Sequence, residues 1–520
     1  MAVQSARAAG NFFARFWRGD YSLPFSYWVI GFLGNIAIGL LVVVLSAAVP
    51  RDDFNPYVLG AYILAIWLLV MGWGVFHIVG VWRSANRYRD EKRQQNKPAA
   101  WAAVAQVLLV LGAIRLGVEF IRSGLPQLRE AADIALRNDP QIPGYKIRVM
   151  RNGSEMEIAG GLKYGLASDA DKVLAASPQV RVVHLNSIGG RVGEAKKLGA
   201  LIRKRGLSTY TSTECLSACT IAFAAGRDRW LKEGGKLGFH TASFAGEDMP
   251  NVMRTDLIEA GYDPAFVSRA ISYASGKMWF PTVSELQSAK VITGVADGYK
   301  FAASGYGIDA TNENFAKELR RESVFQAVEQ ADPKAFAAIA AEFQRRYVEG
   351  VPEGTIIDDI RSQKMLPLIR SRLPTADDRT LIDFVILVAD QYDALGAKDP
   401  EACYRYSLQG ADTKTLAMLS PQLRDRELAL SERILRSAQV QRSPTKAHLQ
   451  SLYEVLFRRM ISKYGNRDPR LVLEPAKVQL PEYRTYCRMA SATFREISIF
   501  PPAEAGVLIG EMFKEASGTK

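Results

Sequence analysis

VVHLNSIGGRVGEAKKLGALIRKRGLSTYTSTECLSACTIAFAAGRDRWLKEGGKLGFH, residues 182–240, is the stretch that decides the fold. The apolar run Val182, Val183 and Leu185 predicts a buried strand ending in the pair Gly189-Gly190. An amphipathic helix comes next, with Val192, Ala195, Leu198, Leu201 and Ile202 on one face and Lys196, Lys197, Arg203 and Lys204 on the other. A second strand, 208–212, leads into Glu214-Cys215-Leu216-Ser217-Ala218-Cys219, where an apolar helix begins and runs to Gly226. His240 closes another short strand, 237–239. The order is strand, glycine turn, helix, strand, serine at a helix start, then histidine. That is the plan of a nucleophilic site.

A serine hydroxyl is a weak nucleophile and needs a base to take its proton, a task suited to neutral imidazole. At the first turn of a helix the backbone N–H groups lack intrahelical partners, and the dipole favours negative charge. The Ala218 N–H can therefore face a developing oxyanion together with an N–H from Gly189 or Gly190. Glycine also lets a substrate carbonyl approach the main chain. A serine among small residues at a helix start serves equally well as a simple N-cap.

Order and spacing go further. The segment from about 147 to 299 resembles the ClpP family of serine peptidases, within the wider ClpP/crotonase fold. Asn186-Ser187-Ile188-Gly189-Gly190 is similar to that family's Asn-Ser-Pro-Gly-Gly turn, and Leu216-Ser217-Ala218 to its nucleophile elbow. His240 lies 240 − 217 = 23 positions beyond the serine, near the family interval. Phe280–Leu286 and Ile292–Asp297 resemble the closing helix and "Gly-x-x-Asp" turn. The resemblance implies catalytic Ser217 and His240 with an oxyanion hole from Gly189, Gly190 and Ala218. Met278 stands where the family has its acid, and Ile188 where it has proline. These departures leave a Ser217–His240 dyad, with Glu285 or Asp297 to orient the imidazole. Loss of the orienting carboxylate costs about 10⁴ in turnover in a serine protease triad. The related signal peptide peptidase A resembles a Ser–Lys system, which leaves a lysine base open.

Outward from this core, residues 27–49 and 57–81 are apolar apart from His77, and 101–121 is apolar apart from Arg115 and Glu119. About 20 such residues cross the hydrocarbon layer, so a three-helix membrane domain is expected over 1–124. His77 reads as a packed helix residue. Tyr27, Trp28, Trp82 and Trp101 suit interfacial belts. Arg7, Arg15 and Arg18 in the leader, and Arg83, Arg87, Arg89, Lys92, Arg93 and Lys97 in the second loop, outweigh Arg51 against Asp52 and Asp53 in the first. Positive-inside then puts the N-terminus in the cytoplasm and the body beyond about Arg122 on the other face. In a double-membraned bacterium this is a multi-pass inner-membrane protein with a periplasmic catalytic domain. A third segment lying in the interface would instead leave the body cytoplasmic.

A short amphipathic helix at 125–138 is expected to join membrane and body. After it come an Asn152-Gly153 hairpin and then the alternating strands and helices of an α/β domain, 125–308. Beyond it, 312–330, 334–347, 381–392 and 446–464 show helical periodicity without a catalytic pattern, so 309–520 reads as an all-α domain that presents substrate or oligomerises. Cys403 and Cys487 there are a candidate disulfide in an oxidising compartment, whereas Cys215 and Cys219 either pair or stay buried as small apolar groups. With only four histidines and no second cysteine pair, neither metal nor cofactor is expected. The net charge of +12 and pI near 9.4 invite a nucleic-acid partner, but the charge is dispersed and no aromatic–basic motif appears. The expected partners are the lipid bilayer and a peptide or unfolded protein, with a homo-oligomer compatible with the fold.

Three functions stay open. The first is a membrane-anchored serine peptidase that hydrolyses exported or membrane protein segments. The second is an inactive ClpP-like scaffold or peptide-binding module. The third is acyl-CoA chemistry in the crotonase manner, which needs neither Ser217 nor His240.

Overall fold

The computed structural model describes residues 11–47, 55–308, 310–410, 413–466, 468–473 and 475–516. The chain divides into two compact units, Met1–Asp297 and Gly298–Lys520. Arg7, Arg51, Asp52 and Asp53, used for orientation, lie outside the described residues, as does the compositional break at 309.

Three helices are long and apolar enough to cross a membrane: Phe25–Leu45, Pro56–Gln94 and Ala100–Leu136. At 1.5 Å per residue the second and third are roughly 55–60 Å long, so both outrun the hydrocarbon layer. The basic stretch from Arg83 to Arg93, expected as a loop, is instead the polar end of the second helix. The amphipathic 125–138 segment is likewise continuous with the third helix rather than separate. Pro126 does not break that helix. It lacks an N–H, and the wide π-helical turn Phe120–Gly124 just before it absorbs the missing bond.

The α/β part is a six-stranded sheet in the order β1-β2-β3-β4-β6-β10. Its strands are β1 (Tyr145–Met150), β2 (Glu155–Gly160), β3 (Val182–Asn186), β4 (Ser208–Thr211), β6 (Arg229–Lys232) and β10 (Gly294–Ala296). β1 and β2 form the expected hairpin, with Arg151, Asn152 and Gly153 all at positive φ in the turn. All other pairings in this sheet are parallel. A parallel sheet covered on both faces needs apolar strands, and Val183 and Leu185 are fully buried. The helix Val192–Arg205 ends at Gly206, whose φ of 62° supplies the left-handed cap. It lies so close to the helix Cys219–Ala224 that a Cβ on Gly199 would sit 3.3 Å from Ala225 Cβ. Two small ladders complete the unit. One joins β5 (Glu214–Leu216) to β7 (Lys236–Gly238), the other β8 (Ala242–Phe244) to β9 (Glu247–Met249).

The described elements of the second unit are helical. Asp332, Asp399 and Ser420 cap helices that begin with proline, the residue suited to the first helical position. The helix Asp378–Lys398 packs against Tyr483–Ser498, Pro502–Ala516 and Pro421–Arg436. Cys403 and Cys487 form a disulfide between the helices Pro400–Gln409 and Tyr483–Ser498.

Candidate active site

Three backbone segments lie side by side. Ser187 bridges Cys215, and Cys215 pairs with Leu237 in the parallel β5–β7 ladder. The glycine turn, the serine and the histidine therefore leave the same end of neighbouring segments. Ser217 comes directly after Leu216, and its N–H donates to Gly238 O at 2.9 Å. His240 lies two residues beyond Gly238.

Ser217 has a φ of 54°, the left-handed region that a non-glycine residue enters only in a tight, over-determined turn. The turn passes from β5 into the short helix Cys219–Ala224, and the serine is half-exposed. Cys215 and Cys219 are joined by a disulfide, so a five-residue ring closes around the serine. The sequence leaves that pairing open; the structure makes it.

The glycine turn nests over this elbow. A Cβ on Gly189 (φ 97°) would lie 2.6 Å from Leu216 O and 2.8 Å from Ser217 Cβ, so only glycine fits. Ser187 Oγ accepts the Gly189 N–H at 3.1 Å. Gly189 thus gives close approach but not a free donor, which corrects its place in the expected oxyanion hole. Gly190 bridges Leu162 without using its own N–H. Among the described residues, the Gly190 and Ala218 N–H groups donate to no protein acceptor. They are the uncommitted main-chain donors on the two sides of the elbow. Below them, Asn186 Oδ1 accepts from Ser212 N at 3.1 Å and Ser212 Oγ at 2.9 Å, tying the end of β3 to the chain entering β5.

His240 is half-buried, and its Nδ1 has no hydrogen-bond partner. Burial pulls its pKa below the ordinary histidine value, opposed by the Thr241 main chain and the charge of Asp248. The imidazole is therefore neutral near pH 7, the form that accepts a proton. No hydrogen bond joins Ser217 Oγ to His240 among the described residues. Phe239 and Trp279 exchange both main-chain hydrogen bonds at 2.9 Å, a register that sets His240 opposite Met278. A Cβ on Gly238 would lie 2.9 Å from Met278 Sδ. A thioether, not a carboxylate, therefore lies over Gly238, two residues before the histidine.

Neither expected orienting acid reaches Nδ1. Glu285 accepts from Thr282 N at 2.8 Å in a capping box and pairs with Arg269 at 3.0 Å. Asp297 comes after β10, at the sheet edge farthest from β1. Asp248, on the return arm of the β8–β9 hairpin, contributes only a small charge effect that raises the His240 pKa, and its carboxylate accepts the Ser275 N–H at 3.2 Å. Nothing in the local sequence marks it beyond lying eight positions after the histidine. His184, by contrast, is fully buried with Nε2 2.9 Å from Glu155 Oε2, a core pair. Among the described residues no cluster of histidine, cysteine or carboxylate side chains could hold a metal.

No protein-family model and no curated protein sequence matches the chain. Solved structures similar to part of it include a point variant of ClpP1 from Listeria monocytogenes, with 16% identity over 28% of this chain and 92% of that one, at a TM-score of 0.25. A variant of a membrane-bound stomatin-specific protease is 14% identical over 27% of this chain and 77% of that one, at 0.23. An enoyl-CoA hydratase from Mycobacterium avium subsp. paratuberculosis is 14% identical over 30% and 68%, also at 0.23. These are distant ClpP/crotonase-like likenesses. They do not choose between peptide and acyl-CoA chemistry.

Proposed function

We propose that this chain is a membrane-anchored serine hydrolase that cleaves peptides or unfolded protein segments through an acyl-enzyme on Ser217. The observation that carries the reading is the elbow: a serine at positive φ, ringed by a disulfide, beside two uncommitted N–H donors and a neutral histidine. Ser217 Oγ adds to the substrate carbonyl carbon while His240 takes its proton. The carbonyl oxygen becomes an oxyanion held by Gly190 and Ala218, and each such donor contributes roughly 2.7–4 kcal/mol to the transition state. The C–N bond then breaks, and the imidazolium protonates the departing amine. Water, deprotonated by the same histidine, releases the acyl group. Half-exposed Ile188 and Phe280, beside the glycine turn and Trp279, favour extended apolar segments. The three spans support membrane attachment, and two cystines support an oxidising compartment such as the periplasm.

The full-length protein in detergent, treated with a fluorophosphonate probe, should label on Ser217, and Ser217→Ala and His240→Ala should not label. A folded wild type that stays unlabelled overturns the reading. A second reading rests on Met278 opposite His240: without an acid on Nδ1, the site is a binding groove. An unlabelled protein that still retains unfolded peptides would establish it.

A further inference from the structure

The long third membrane helix carries Glu130 on the segment Leu125–Leu136. Its two carboxylate oxygens accept from two different places. One takes Nη1 of Arg191, the residue directly after Gly190; the other takes the N–H of Ala245, at the tip of the β8–β9 hairpin between His240 and Met249. Ala245 has a φ of 51°, so its main chain is turned toward that contact. Arg191 is completed by Asp139, just past the same helix, with Nε to Oδ2 at 2.6 Å and Nη2 to Oδ1 at 2.8 Å. Asp139 is almost fully buried. From the other side of the turn, Lys163 Nζ donates to Asn138 O at 2.7 Å, and its neighbour Leu162 brackets Gly190 by bonding Gly189 O and the Arg191 N–H, each at 2.8 Å. Arg191, Glu130 and Asp139 are mostly screened from water, where charge-assisted hydrogen bonds hold geometry best.

We infer that Glu130, on the membrane-proximal helix, is a positioning residue that holds the glycine turn and the hairpin beside His240 in one frame. The inference rests on the proposed serine-hydrolase reading for its catalytic consequence, but not for the tie itself. Glu130 touches no reacting atom. It acts through Arg191 on the segment that carries the Gly190 N–H and through Ala245 on the hairpin that follows His240 in the chain. The site is then assembled partly by the end of a membrane helix.

Two variants of the full chain in detergent test this, Glu130→Gln and Asp139→Asn, read by hydrogen exchange and by fluorophosphonate labelling. Glu130→Gln should speed exchange at least fivefold in both 186–192 and 241–249. Asp139→Asn should do so only in 186–192. Unchanged exchange in either segment of Glu130→Gln, or acceleration in both segments of Asp139→Asn, overturns the shared frame. In Glu130→Gln the labelling rate should fall at least tenfold while the final labelled fraction equals wild type. A merely structural defect lowers the labelled fraction and the Tm together and leaves the rate per folded molecule alone, and that result also overturns the positioning role. If wild type does not label, the hydrolase reading fails, and the exchange experiment still decides the tie.

Discussion

The two disulfides of this chain do opposite work. Cys403 and Cys487 are 84 positions apart and cross-link two helices of the second unit, while Cys215 and Cys219 are four apart and enclose Ser217. Loop-closure entropy in the unfolded chain assigns about 4.6 kcal/mol to the long loop and about 2 kcal/mol to the short one. The first secures a fold. The second adds less stability, but it fixes a serine at positive φ and the Ala218 N–H beside it. The cystine with the smaller calculated effect on stability is the one that encloses the candidate nucleophile.

That contrast can be broken by experiment. Replacing Cys403 and Cys487 by alanine together should lower the Tm of the second unit by roughly 10–15 °C, given 2–4 °C per kcal/mol in a domain of that size. Ser217 labelling at 20 °C should stay within twofold of wild type, and a parallel loss of labelling would erase the distinction. Replacing Cys215 and Cys219 by alanine should remove only about 2 kcal/mol of stability yet slow labelling about tenfold. A labelling rate unchanged in the reduced or substituted protein would show that the ring is dispensable. Ser217→Gly should abolish labelling while raising stability by about 1 kcal/mol, because glycine enters the left-handed region without strain. Denaturant midpoints would check this, and a lower midpoint would mean that the serine is not strained.

The smallest effect concerns pH. His240 has its pKa depressed by burial, so the unfolded state binds more protons than the folded state just below the ordinary histidine value. Stability is therefore complete above about pH 6.5 and falls as pH drops toward the folded pKa. That slope should flatten in His240→Gln. Asp248→Asn removes the negative charge that raises the imidazole pKa, so the pH midpoint of labelling should move to lower pH. A shift in the opposite direction would mean that Asp248 acts on another group.

The sequence displays whatever depends on local pattern. The three apolar runs, the β-branched strand before Gly189-Gly190 and the spacing of Ser217 to His240 each arise from side chains near one another in the chain. Glu285 reads as an orienting acid only if its own local signal is passed over: Thr282-Val283-Ser284-Glu285 carries the capping-box spacing. Residues 312–330 read as one helix, but the turn at Arg320–Glu322 divides it into Asn312–Leu319 and Ser323–Ala331. Other features are illegible because they join distant positions. The Arg191–Glu130 pair spans 61 residues, and no periodicity reports it. The Cys215–Cys219 pairing depends on the sharp elbow, and the charge effect of Asp248 on His240 depends on the pairing of β8 with β9.

Gly189 has one more consequence. Its missing side chain leaves no space between the turn and the elbow: a single carbon there would fall within 2.8 Å of Ser217 Cβ. A slip that put Ile188 in the place of Gly189 would push its branched side chain into that gap, and the two segments could not close, whereas the opposite slip would bring Gly190 there, again a residue without a side chain. The tight fit therefore opposes misalignment in that one direction. The second glycine of the pair thus leaves one direction of slip unopposed, and the bridges of Ser187 to Cys215 and of Gly190 to Leu162 must hold the register against it.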